Sequence, residues 1–348
     1  MTLPAAAAIT TSGDVQPDDP ATWNSSTDGY IGRDADGTMS ITEGDGVVCR
    51  EGYIGYSSSV VGLVSVVDSG STWTTDWDLI IGYYGQGTLS ITNGGTVTSN
   101  DDSFIGHKEG ASGEVTVDSQ GSEWTIDGRL DVGYNGQGTL NITNDGAVTS
   151  NWGCIGGMLG TGTVLVDGHG SSWTIVRELY VGERGQGAMD ITNGGNVSCE
   201  SGIIGYWSPG TGEVSVDGEG SSWNCRGSLY VGKFGQGTLD ISNGGSVGCW
   251  WGYISGESGS TGEVSVDGAG SSWYCDYHLS VGYYGQGTLE ISNGGSISCE
   301  GAISVGRYGQ GTLNISNGGN SSTWEGYIGS ESGSTGEVSV DGAGSSLN

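Results

Sequence analysis

The chain has 348 residues, of which 72 are Gly, only 4 are Pro and 2 are Phe, and charged residues make up 14%. No Gly-X-Y period runs through it, which excludes collagen, and apolar residues recurring at fixed intervals exclude a solvated disordered tract. With 40 Asp+Glu against 9 Lys+Arg the net charge is −31; this excludes the basic stripe that nucleic acid or an anionic membrane surface demands, and no apolar run approaches a membrane span.

Residues 1–27 precede the first regular pattern and are expected to form an N-terminal segment, partly flexible or capping. The start, Met1-Thr2-Leu3-Pro4 followed by four Ala, lacks the basic and apolar regions of a signal peptide. From residue 28 to 348 the chain reads as a single repeat domain. The segment Gly-Gln-Gly-Thr returns at Gln86, Gln137, Gln236, Gln286 and Gln310, with Gln186 in the variant Gly-Gln-Gly-Ala. The Trp that ends Ser-Ser-Trp or its variants falls at Trp73, Trp124, Trp173, Trp223 and Trp273. Both markers advance by about 50 residues until the final Gln step, which is about half as long. Such self-similarity outranks other signals.

Each 50-residue unit divides into two halves, typified by residues 229–247 and 253–273. Both follow one plan: a short apolar strand, a Gly-rich turn, an alternating strand, a second Gly turn and a third short strand. The short final step brings two coils of the first type together at Val281 and Val305, so the single coil is the structural unit. Within it, Val264 and Val266, or Leu239 and Ile241, alternate with Ser, Thr and acids, the period of a strand with one buried face. The expected fold is all-β: a right-handed parallel β-helix (β-solenoid) of about 13 coils, each of 24–26 residues with three short strands. Coils stacked at about 4.8 Å would make a rod on the order of 60 Å long.

Aligned coils place residues in columns. One inward column reads Cys199, Cys225, Cys249, Cys275 and Cys299, preceded by Cys49, Thr75, Ser99, Ile126, Ser150 and Ile175 and followed by Thr323. Three readings stand: a stack of reduced thiols acting as small hydrophobes, one or two disulfides between neighbouring coils, or a metal column, which in-line thiols serve poorly. The outward face of the middle strand carries Asp190, Glu213, Asp217, Asp240, Glu263, Asp267 and Glu290, staggered so that no carboxylate lies directly above another. A solvated face explains this, since like charges opposite one another destabilise a sheet. Divalent cation binding, with calcium the candidate ion, and acid–base catalysis are the alternatives.

An Asn column (Asn93, Asn144, Asn193, Asn243, Asn293 and Asn317) is expected to serve the turns, with only Asn293 and Asn317 placed for a ladder. The Trp column is expected to fill a core corner. Exposed aromatics are expected in the first turn, at Tyr83, Tyr84, Tyr134, Tyr206, Trp207, Phe234, Tyr283, Tyr284 and Tyr308, as a stripe for carbohydrate or a partner. His107, His169 and His278 lie in unrelated coils and no loop interrupts the stack to build a pocket, so no catalytic residues and no enzyme activity are expected.

The pattern Val-Gly-x-x-Gly-Gln-Gly-Thr-Leu-x-Ile-x-Asn-Gly-Gly, followed by Gly-Ser-Thr-Gly-Glu-Val-Ser-Val-Asp-Gly-x-Gly-Ser-Ser-Trp, resembles the autotransporter and PEP-CTERM-associated repeat family over residues 28–348. The resemblance implies an exported bacterial protein, secreted or shown at the cell surface, with no catalytic residues to carry over. Neither a C-terminal barrel nor a Pro-Glu-Pro sorting tail is visible. The chain stops inside a coil, at Ser345-Ser346-Leu347-Asn348, where Trp would be expected. The function expected is a structural or adhesive extracellular scaffold that stacks head to tail into filaments, with itself, a glycan or a cell surface as partner. The alternative is a carbohydrate-binding or polysaccharide-cleaving β-helix.

Overall fold

Glycine and asparagine set the coil. In residues 86–105 the strand Gln86–Thr92 ends at Asn93 and Gly94, whose φ angles of 53° and 89° close a turn in which Gly95 N–H donates to Thr92 O at 3.1 Å. Two successive positive φ values are what Asn-Gly supplies at least steric cost. The chain then forms Thr96–Ser99 and Ser103–Ile105 and turns again at a glycine. In the equivalent turn Gly232 has φ 73°, and a Cβ there would lie 2.0 Å from Thr261 O in the next coil, so only Gly fits.

The computed structural model describes residues 8–348; residues 1–7, which carry most of the start read above as unlike a signal peptide, lie outside the described residues. The described chain is all-β, with about thirteen parallel coils and one short 3-10 turn, Pro20–Thr22. The expected parallel β-helix is therefore found, with three strands to a coil. These strands fall into two sheets: one collects the seven-residue middle strands, and the other collects the two shorter strands of each coil. In places the shorter pair runs on as one strand, as in Glu123–Val132 and Ser272–Val281. No described helix is long and apolar enough to cross a membrane.

Contacts divide the described chain into two compact units, one of residues up to 165 with 170–176, the other of residues 166–169 with 177–348. In the first, middle strands pair in parallel, Leu89 opposite Val115 and Ile91 opposite Val117. Its first coil is overlaid by the N-terminal segment: Ala8–Gly13 runs antiparallel to Gly37–Thr42, and Val15–Gln16 antiparallel to Gly29–Ile31. Trp23 is buried there against Gly29, where any Cβ would fall 2.2 Å from the indole. The second unit repeats the same register, with Leu239 opposite Val264 and Ile241 opposite Val266. In its last coil Trp324, Ile328, Val340 and Leu347 are exposed.

The inward faces make a dry core. Leu239, Ile241, Val264, Val266 and the corner residues Trp73, Trp124, Trp173, Trp223 and Trp273 are all essentially inaccessible. Each Trp buries on the order of 200 Å², about 5 kcal/mol of transfer free energy as an upper estimate.

Candidate functional site

The columns carry three arrangements with chemistry in them, and a clamp between coils that sequence reasoning missed. Asp118 Oδ1 accepts from Thr143 Oγ1 and Asn144 Nδ2 of the next coil, both at 2.6 Å. In the second unit Asp217 Oδ1 accepts from Ser242 Oγ and Asn243 Nδ2 at 2.6 Å, and Asp167 and Asp267 repeat the pattern. The two hydrogen bonds hold the Asp118 carboxyl below its ordinary value. On the opposite side, Ser221 Oγ accepts from Gly194 N–H at 3.0 Å and donates to Asp217 O at 2.6 Å. Ser122 and Ser271 likewise accept from Gly94 and Gly244. The second-type coils of Asp118, Asp217 and Asp267 thus grip the first-type coil before them through Ser and the one after through Asp, whereas the coil of residues 61–75 has Val67 opposite Thr92 and lacks the Asp clamp. The Asn column is therefore more than a turn device: Asn144, Asn193, Asn243 and Asn293 are donors in this clamp, and no Asn293–Asn317 ladder forms among the described hydrogen bonds.

The acid face has the staggered register. Asp190 faces Ser215, Glu213 faces Thr238, Asp240 faces Ser265, Glu263 faces Thr288 and Glu290 faces Ser265, while Asp217 and Asp267 face Ser242 and Ser292. Asp217 and Asp267 each have an oxygen committed to the clamp, and Asp240 accepts from Ser265 Oγ at 2.7 Å. Partial desolvation raises the Asp190 carboxyl. Among the described residues no three His, Cys, Asp or Glu side chains converge as a metal-binding group. Two of the histidines differ in role: His107 lies among aromatic rings, and His278 Nδ1 accepts from Ala302 N–H at 3.1 Å.

The cysteine column lies inside, with Cys199 opposite Cys225, Cys249 opposite Cys275, and Cys275 opposite Cys299. The Sγ atoms of the first two pairs are 3.2 and 3.4 Å apart. Cys299 Sγ instead turns to the carbonyls of Tyr277 and Ala302, at 3.3 and 3.4 Å. Burial pushes the Cys225 and Cys275 thiols well above the ordinary value and that of Cys49 up to about 12. The column also receives the indoles: Trp73 Nε1 donates to Cys49 Sγ, Trp124 and Trp173 to Ser99 and Ser150 Oγ, and Trp273 to Cys249 Sγ, at 3.1–3.4 Å. Trp223 Nε1 breaks the series and is buried without a partner.

The aromatic residues collect at the turn after the third strand, although the turns at 156–159, 255–258 and 329–332 have none. In the first unit Tyr56, Tyr83, His107 and Tyr134 stack face to face at 5.0, 5.4 and 5.4 Å, with Tyr84 against Tyr83 edge-on. In the second unit Trp207 stacks on Phe234 at 4.9 Å beside Tyr206, and Tyr284 on Tyr308 at 4.7 Å beside Tyr283. Each stacked ring has at least one face on a neighbouring ring; Trp207, Tyr284 and Tyr308 remain exposed. Tyr30, Tyr53, Tyr230 and Tyr253 join these ladders from the adjoining strand. A separate cluster of Trp250, Trp251 and Tyr277 was also missed.

Scarce cations gather on the same turns. Arg33 lies over Tyr30 at 4.8 Å, Lys108 over Tyr83 at 5.3 Å, Lys233 over Tyr230 at 4.5 Å and Arg307 over Tyr308 at 5.4 Å. Arg184 approaches the Trp207 ring at 5.8 Å. Five of the chain's 9 Lys+Arg therefore sit against these rings, positions that cation–π attraction favours. Desolvation lowers the Lys233 ammonium from its ordinary value.

No protein-family model matches the chain, and no curated protein matches it. The family likeness therefore rests on the repeat residues alone. Among solved structures the chain is similar to the crystal structure of the TibC-catalysed hyper-glycosylated TibA55-350 fragment, at 20% identity and a TM-score of 0.49, over 90% of this chain and 96% of that one.

Proposed function

We propose that this chain is a non-enzymatic structural and adhesive scaffold, exported by a bacterium and displayed at its surface or in its matrix. The observation that carries the reading is the contrast between a uniform frame and one varied corner. The Asp clamp recurs at Asp118, Asp167, Asp217 and Asp267, whereas the turn after the third strand varies among Tyr, Trp, Phe, Arg and Lys. Along the acid face the frame repeats, so no carboxylate pair there has the distinct environment that acid–base catalysis uses. Exposed rings beside cations, in a chain of net charge −31, offer contact to a glycan or a cell surface. The repeat residues support export through their family likeness.

The acid face supports no cation in this reading, because its carboxylates are staggered and several are already hydrogen-bonded, whereas calcium takes convergent oxygens. A melting curve with calcium and with a chelator checks this, and a shift between them would restore the cation. Self-stacking of like coils belongs to the same reading, and light scattering against concentration tests it. The rival, a polysaccharide-cleaving β-helix, is separated by a glycan array combined with a reducing-sugar assay on acidic polysaccharides. Retention without new reducing ends supports the scaffold; release of reducing ends overturns it.

A further inference from the structure

We propose that Cys199–Cys225 and Cys249–Cys275 are two inter-coil disulfide sites, closed when the chain folds in an oxidising compartment, with Cys299 kept as a thiol. Both pairs are in register on adjacent parallel strands, where a rung spacing of about 4.8 Å falls inside the Cα separation that disulfides span. Their Sγ atoms, 3.2 and 3.4 Å apart, must close by roughly 1.2–1.4 Å to reach bonding distance. Cys275 and Cys299, although also in register, are not so aimed, because Cys299 Sγ points at two carbonyls.

Trp223 sets the first pair apart from the second: its Nε1 is buried without a partner, whereas Trp273 Nε1 donates to Cys249 Sγ although that sulfur also lies 3.4 Å from Cys275 Sγ. Both bridges would join a first-type coil to the second-type coil that follows, the junction already held by Ser221 and Ser271.

The chemistry is thiol–disulfide exchange with a disulfide oxidant, either a small-molecule disulfide or a disulfide oxidoreductase. One cysteine thiolate attacks an oxidant sulfur, forming a mixed disulfide and displacing a thiolate. The second cysteine thiolate then attacks the protein sulfur of that mixed disulfide and releases the other oxidant sulfur. Two electrons pass to the oxidant, and the two protons lost from the cysteines end on its thiols. Since the folded column is buried, exchange belongs to the stage before the coils close.

The test is to refold the full chain in a reduced and oxidised glutathione mixture, select the fraction with β-sheet circular dichroism, and alkylate it in denaturant before peptide mapping. Cys199, Cys225, Cys249 and Cys275 are expected to resist alkylation until a reductant is added, as bridges 199–225 and 249–275, while Cys49 and Cys299 react. The variant Cys225→Ser is expected to free Cys199 for alkylation and leave the 249–275 bridge intact. Reaction of any of the four in the wild type without reductant, or a bridge between other partners in either protein, overturns the proposal.

Discussion

Asn243 Nδ2 donates to Asp217 Oδ1 at 2.6 Å, from one coil to the coil before it, while Asn243 itself sits at φ 50°. One residue thus closes a turn and fastens two coils. The same Asp oxygen accepts from Ser242 Oγ, so the clamp reads two side chains of the first-type coil at once. It follows that the two coil types alternate because their surfaces are complementary rather than alike. Where two first-type coils adjoin, Ser292 stands where the clamp needs Asp, and Asn317 has no such acceptor.

Asp217→Ala is expected to lower unfolding free energy by about 1–2 kcal/mol, since it removes two hydrogen bonds to a charged acceptor at a partly solvated site. Glu213→Ala, on the same strand but with no described hydrogen bond, is expected to stay within about 0.5 kcal/mol. Urea denaturation followed by Trp fluorescence compares them. Equal midpoints for the two variants would show that the clamp holds nothing.

The indole series makes a second comparison. Trp173 Nε1 donates to Ser150 Oγ at 3.1 Å, whereas Trp223 Nε1 has no partner. Replacing either by Phe removes similar volume, but only Trp173→Phe leaves a buried hydroxyl without its donor. Trp173→Phe is expected to cost about 1 kcal/mol more than Trp223→Phe, read as the difference in urea midpoints of the two variants. A larger loss for Trp223→Phe would contradict the assignment.

His107 predicts an acid-sensitive step. Burial between Tyr83 and Tyr134, with Lys108 adding to it, lowers its pKa from 6.5 to about 4. The unfolded chain takes up a proton below its ordinary value while the folded one does not. Stability is therefore lost as pH falls from 6.5 towards 4 and levels off below. After allowance for solvent screening the loss is about 1–2 kcal/mol. Melting curves of wild type and His107→Phe between pH 7 and pH 4 should diverge by this amount; parallel curves would contradict it.

Asp78 works in the opposite sense. Burial, then the carboxylates of Asp102, Asp101 and Glu51, raise it to about 6. The folded state holds its proton more tightly than the unfolded, so stability falls as pH rises from 3.8 through 6. Asp78→Asn is expected to stabilise the protein at pH 7 by about 1 kcal/mol after screening is allowed for, and to change little at pH 3.5. Melting temperatures at the two pH values check this, and a gain that is the same at both would rule out the proton as its cause.

The coil was legible because its determinants are local: Gly and Asn fix the turns, and alternation fixes the buried face. Parity alone put Cys199, Cys249 and Trp273 inside and staggered Glu213 against Asp240. What parity cannot give is which side-chain atom of Asp217 meets which donor, because that depends on the left-handed conformation of Asn243 as well as on register. The ladders were half legible. Tyr83 and Tyr308 are in turns, where exposure is the default, but Tyr30 and Tyr53 sit between buried Gly and Ile, and their parity could have placed them outward on the same side. The direction of ring stacking was hidden, since it follows from the vertical alignment of coils. Trp250 and Trp251 escaped because they lie at a corner where the column spacing changes between coils.

The central claim, a scaffold that adheres without cleaving, is tested most directly by coating beads with the protein and measuring retention on bacterial cells and immobilised extracellular polysaccharides. The chain length of each polysaccharide is measured before and after contact. The account predicts that beads are held, that retention falls when Trp207, Tyr284 and Tyr308 are replaced by Ser, and that no polysaccharide is shortened. Shortened chains, or beads that wash off every surface, would contradict it.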